Sequence, residues 1–352
     1  MIPKLSRAVV LLGLLALAAC SQAADKKEPP AAGGDGGVVN LYTARHYDSD
    51  TAIYEAFTKA TGVQVRRIEA PAAQLIERMK AEGEASPADL LIIADGGSMG
   101  MAAEAGLLQP YRSAALEGRV PAHLRDPEGR WYAISRRARV IAYDTAKVKP
   151  EEVDTYEELA SPRFRGKLCV RNADNPYNLS LLSALVERWG REKALAWARG
   201  VVANMARPPS GGDTDQIKAV GAGQCEVAIT NSYYYLRLAE AEDAETKGLM
   251  ARVALAWPSI DGRGAHVNVS GAGIAKNAPN RDNAVKFIEF MLSPEAQAIF
   301  ANVTNEFPVV KGTRMPERVA AFADRPADPL PVSRYGARQG EAQRVFEEAG
   351  WR

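Results

Sequence analysis

From residue 38 onward, short β-branched runs alternate with stretches whose apolar residues recur at helical spacing, which restricts the chain to an α/β fold. VVNLYTA (38–44) predicts a strand. A helix follows through Ala52, Ile53, Ala56, Phe57 and Ala60, with Ser49 or Asp50 as its cap and Gly62 beyond its end. VQVRRI predicts a second strand, and Leu75, Ile76 and Met79 mark a helix that stops at Gly83. LLIIA (90–94) reads as a buried strand, followed by a helix over 101–105 that stops at Gly106. Such alternation predicts a parallel sheet. RVIAYD (139–144) predicts the strand that enters a second lobe, built from LCVR, two helices around Leu181–Val186 and Leu195–Val201, and EVAIT. VNVSGAGIA (267–275) predicts the return to the first lobe, where NAVKFIEFML and SPEAQAIFANV form amphipathic helices. Two crossings make a hinge with a cleft. The expected lobes are 38–138 with 270–352, and 139–269.

The N-terminal segment is of another kind. Lys4 and Arg7 precede an apolar run over 9–17, too short for a permanent membrane span, and Leu17-Ala18-Ala19 leads to Cys20. This fits a bacterial lipoprotein signal over 1–19, with Cys20 acylated as the mature N-terminus. Residues 20–37, rich in Gly, Pro and Ala, form a flexible tether. The body is therefore expected in the periplasm, held to the membrane by lipid. Forty-four basic residues against 43 acidic ones, a net charge of +1, exclude nucleic acid as the expected partner. With Cys20 acylated, Cys169 and Cys225 remain in an oxidising compartment, where pairing is expected and two buried free thiols are the alternative.

Three tyrosine-bearing segments each follow a predicted strand. ARHYDSD carries His46 and Tyr47, NADNPYNLS carries Tyr177, and NSYYYLRL carries Tyr233, Tyr234 and Tyr235. Ligands of open α/β sheets bind beyond the carboxyl ends of strands, so a closing cleft brings these segments together. Phenol, with a pKa of ~10, is a poor ligand for most metals at neutral pH. A trivalent cation reverses this by favouring phenolate, and hard oxygen donors with one neutral imidazole suit Fe(III). An arginine of SRRARV (135–140) would offset the excess negative charge. Tyr42, Tyr54, Tyr132 and Tyr143 lie inside predicted strands or helices and are read as packing residues. The three histidines have no HExxH spacing, and GxSxG, P-loop and CxxC patterns are absent, so no enzyme is expected. SGGDTDQ (210–216) is either an anion site at a helix start or a helix cap.

YTARHYD, SRRARVIAYD, NPYNLSL, ARPPSGGDTDQIKAV, EVAITNSYYYLRL and GRGAHVNVSGAG together resemble the ferric-iron-binding proteins of bacterial ABC transporters, in their iron-deficiency-induced, tyrosine-rich branch. The resemblance runs in order through almost all of the chain after the tether. It implies a two-lobed, hinge-closing (type II) periplasmic-binding-protein fold and a monomer that delivers Fe3+ to a permease. The implied ligands are Tyr233, Tyr234 and Tyr177, with His46 or Tyr47 from the N-terminal segment. Arg137 matches the arginine that holds a synergistic anion such as carbonate, and Arg139 is its alternate. The acidic ligand of other branches has only Asp95 as a loose match. Ferrous iron, or another small solute against tyrosine walls, is the alternative cargo.

Overall fold

The computed structural model describes residues 36–45 and 47–352. The expected signal peptide, Cys20, most of the tether and His46 lie outside the described residues.

Strand β1 (Val38–Thr43) pairs in parallel with β2 (Gln64–Glu69) and β3 (Leu90–Ile93). Helices α1 (Asp48–Thr61) and α2 (Ala72–Glu82) make the crossovers, and α3 (Gly96–Glu104) follows β3. Ile53 and Phe57, one turn apart on α1, are fully buried. The helix ends where Gly62 takes φ 71° and gives its N–H to the Thr58 carbonyl, a left-handed position that a side chain would strain. Its start differs from expectation: Tyr47, not Ser49 or Asp50, is the N-cap residue. The carboxyl end of β1 therefore runs through Arg45 directly into the turn that carries Tyr47.

After α4 (Ala114–Arg119), strand β4 (Tyr132–Asp144) runs for 13 residues and starts well before the predicted Arg139. Its first part pairs antiparallel with β8 (Val267–Ile274), which also pairs antiparallel with β3. From Arg139 it pairs instead with β6 (Val227–Asn231) and β7 (Val253–Ala256), also antiparallel. Short β5 (Leu168–Cys169) lies parallel to β6, giving the sheet order β2-β1-β3-β8-β4-β6-β5 with β7 on β4. The sheet is thus mixed rather than parallel. The outer strands obey the crossover rule, but β4 leaves and β8 returns side by side, and adjacent opposite passages must be antiparallel.

Between β5 and β6 lie α5 (Pro176–Trp189), α6 (Arg191–Asn204) and α7 (Asp213–Gly221); α8 (Ser232–Ala239) and α9 (Ala244–Met250) precede β7. Cys169 and Cys225 form a disulfide with Cα atoms 5.9 Å apart, joining β5 to the approach of β6. Helices α10 (Arg281–Met291) and α11 (Pro294–Ile299) pack on α1, with Phe287 edge-on to Phe57 at 4.7 Å. Each of these buried rings contributes about 1.5–3 kcal/mol. Three further helices, α12 (Glu317–Ala323), α13 (Val332–Gly336) and α14 (Gln339–Ala349), complete the chain. The last, counted above with the first lobe, packs on α5 and α6, and Arg338 binds Glu187 of α5 at 2.6 Å. Among the described residues no helix is long and apolar enough to cross a membrane.

Candidate metal centre

Each tyrosine segment reaches the site by a local device. Arg45 N–H bonds the Thr43 hydroxyl at 3.0 Å, closing the turn between β1 and Tyr47. Asn175 caps α5 by accepting the Tyr177 N–H at 3.0 Å, and Pro176 has the fixed φ that a first helical position favours, so Tyr177 opens the helix. Strand β6 passes directly into α8, whose first turn carries Tyr233 and Tyr234. The strand ends thus present three phenols to one point. The Tyr47 hydroxyl lies 2.9 Å from that of Tyr177 and 3.1 Å from that of Tyr233, and the latter two are 3.4 Å apart. Tyr234 stacks on Tyr233, ring centroids 4.2 Å apart. Tyr235 turns away and donates to the Val253 carbonyl at 3.1 Å.

Burial first, then the neighbouring phenols and, for Tyr47, the charge of Glu306, raises Tyr47 and Tyr233 well above the usual phenol range, while Arg137 opposes the shift for both. Burial, with Tyr177 and Asp213, pushes Tyr234 up to about 12. Tyr47, Tyr233 and Tyr234 are therefore protonated at neutral pH without a cation, and the clustered hydroxyls share hydrogen bonds. A small hard cation holding oxygens at about 2 Å sets neighbouring ligand oxygens about 2.8–3.3 Å apart, close to the spacing seen here. Among the described residues no cluster of three or more His, Cys, Asp or Glu is placed to hold a metal.

The model of the bacterial extracellular solute-binding proteins matches residues 85–326. The chain belongs to this family. As a solute-binding protein it is 43% identical over 363 residues to iron uptake protein A1 of Synechocystis sp., covering all of both chains. Its structure matches that of a Trichodesmium protein (IdiA, FutA) in complex with iron and citrate ligands, with a TM-score of 0.84 and 46% identity over 90% of this chain and all of that one. The ferric binding protein from Campylobacter jejuni matches with a TM-score of 0.85 and 38% identity, over 89% of this chain and all of that one. This solute-binding protein shares their two-lobed α/β fold.

The charged residues around its phenols divide into two groups. Arg137 lies against the Tyr177 ring, 5.7 Å from its centroid, and bonds Ser270 at 3.1 Å and the Ala94 carbonyl. Arg139, two residues on along the same strand face, is taken up by Asp213 and Asn178 at 2.6 Å each and by Asn231 at 3.1 Å. It braces the elements behind the phenols rather than facing them. Asp95 caps α3, accepting from Ser98, Asn268 and Gln339 at 2.7–2.9 Å, and is structural. The SGGDTDQ segment resolves as a cap: Asp215 accepts the Gly212 N–H, and Asp213 is buried against Arg139. Tyr42, Tyr54, Tyr132 and Tyr143 are buried in strands or helices, as expected for packing.

Arg45, Glu306 and Arg171 were not singled out from the sequence. Arg45 is buried over the Tyr47 ring at 4.8 Å, and Arg171 lies 5.6 Å from the Tyr177 centroid. Only Arg45 had a signal, its place beside His46 and Tyr47. Glu306 lies in a turn without periodicity.

Proposed function

We propose that this protein captures ferric iron in the cleft between its lobes and hands it to an ABC permease. The observation that carries this reading is the meeting of three phenol oxygens, from three separate strand ends, within 2.9–3.4 Å. Tyr47, Tyr177, Tyr233 and Tyr234 serve as phenolate donors, and His46 adds its imidazole. The relatives named for iron uptake and ferric binding support the same cargo. Arg137 Nε, buried and without a hydrogen-bond partner among the described residues, suits a small anion such as carbonate beside the ion. The clefts of about 290, 420 and 540 Å³ elsewhere on the molecule are lined by other residues, and the spacing of the phenols fits an ion better than an organic solute.

The hinge is read at β4 and β8, with lobes built on 38–138 and on 139–269, the chain from 270 returning to the first while α14 packs on the second; β4 changes partners between Ala138 and Arg139. Ligands supplied from both lobes make iron select the closed form. Cys20 is read as the lipid anchor that keeps a monomeric binding protein at the membrane in the periplasm. The test is iron binding by competition with citrate in Tyr177→Phe, which removes one phenol and little packing. Ferric affinity is expected to fall by at least the roughly 10–100-fold typical of losing an outer-shell partner. Unchanged affinity would remove the ligand assignment.

A further inference from the structure

Glu306 is a fully buried carboxylate linked to Arg45 and Arg137, the arginines against the Tyr47 and Tyr177 rings, and the chain is shaped to put it there. The preceding residue, Asn305, adopts φ 56°, a left-handed conformation uncommon outside glycine, and its side chain is held by Arg318 at 2.8 Å. The following residue, Phe307, forms an isolated bridge with Arg136 of β4, with N–H to carbonyl distances of 2.8 and 2.9 Å. Pinned on both sides, Glu306 projects inward with 1% of its side chain exposed. One oxygen accepts from Ser135 at 2.9 Å, the other from Arg45 at 2.9 Å, and Arg137 stands 3.9 Å away. Burial alone would raise the carboxyl, but Arg45 and Arg137 hold it below the usual carboxylate range. It therefore remains a fixed negative charge.

What Glu306 holds is more telling than its own contacts. Arg45 lies over the face of Tyr47 at 4.8 Å and Arg137 against that of Tyr177 at 5.7 Å. Those two phenols carry the oxygens that meet at 2.9 Å. Asp50 takes the remaining side of Arg45 at 2.9 Å, so the buried quartet of Arg45, Asp50, Arg137 and Glu306 is electrically balanced. A ring with a guanidinium on its face is fixed in its plane.

We propose that Glu306 is a positioning residue of the metal centre, holding Arg45 and Arg137 against Tyr47 and Tyr177 and so setting the direction of the two phenol oxygens. This rests on the ferric-phenolate reading. Glu306 acts through the arginines, as outer-shell groups orient metal ligands elsewhere.

The test is a double-mutant cycle between Glu306→Gln and Tyr47→Phe, reading ferric affinity by citrate competition and the energy of the visible phenolate-to-iron band. Glu306→Gln alone is expected to lower affinity roughly 10–100-fold and to shift the band. In the Tyr47→Phe background its effect should shrink measurably, because one of the two rings through which it acts has lost its oxygen and only the arm through Arg137 and Tyr177 remains. An unchanged band and affinity in the single variant, or an equal loss in both backgrounds, would overturn the positioning role while leaving the phenolate reading intact. A wild-type protein with no band at full iron loading would overturn both. Where Glu306→Gln does not fold, Glu306→Asp, which keeps the charge on a shorter arm, takes its place in the same cycle.

Discussion

At the scale of single residues, the metal centre is a problem of protons. Tyr47 and Tyr233 are raised well above the ordinary phenol range and Tyr234 is raised to about 12, each chiefly by burial. Every phenol that ligates iron must give up its proton, so ferric affinity rises with pH, by about tenfold per unit for each proton released. The protons liberated per ferric ion, measured in weak buffer against ferric citrate alone, should number roughly three to four. Release of none would mean that the phenols do not ligate. Tyr234→Phe is expected to weaken ferric binding severely, whereas Tyr132→Phe, whose hydroxyl is bound to the Tyr111 carbonyl at 2.8 Å, should leave it unchanged. Equal effects in the two variants would contradict the donor assignment. The phenols were legible in the sequence because each stands just past a strand of buried apolar residues, where an α/β fold puts its ligand site. Glu306 was not: its role comes from a turn geometry and from three partners at least 169 positions away in sequence (306 − 137), which no local pattern records.

At the scale of elements, the two crossing strands and the disulfide carry the separate expectations. His266, immediately before β8, sits between Ser180 at 2.8 Å and the Tyr335 ring at 5.0 Å. Burial, then Arg139 and Arg137, holds its imidazole down at about 3. An unfolded histidine takes up a proton below about pH 6.5, and the folded one does not until about pH 3, so folding stability falls through that window as pH drops. Urea unfolding should show a slope of up to about 1.4 kcal/mol per pH unit from this group, absent in a folded His266→Gln variant; the same slope in both would contradict the assignment. The Cys169–Cys225 bond closes a loop with a sequence separation of 56, and Cys169→Ser with Cys225→Ser should cost about 2–4 kcal/mol, read as a lower urea midpoint. An unchanged midpoint would show that the link does not constrain the unfolded chain. Most strands and helices were legible from apolar spacing and glycine stops. The early start of β4 was hidden by Arg136 and Arg137, whose charges break the apolar run although Arg137 is buried. The packing of α14 on α5 and α6 was equally hidden, because an amphipathic helix does not record which surface its apolar face covers.

At the scale of the whole molecule, the sheet places the phenols where the strand carrying the chain between the lobes changes partners. On the proposed reading, closure is coupled to the assembly of a ligand set that neither lobe provides alone. Any ion bound only by the assembled state stabilises the fold by mass action, about 2.7 kcal/mol at a free concentration of 100 Kd. Thermal unfolding should therefore move upward on addition of ferric citrate and stay in place with citrate alone. The central claim, ferric iron on phenolate oxygens, is tested most directly by the visible absorption spectrum of the purified protein before and after ferric citrate. A broad band near about 450–500 nm that vanishes on reduction or chelation is the expected result. A colourless protein with iron bound at full stoichiometry would contradict it.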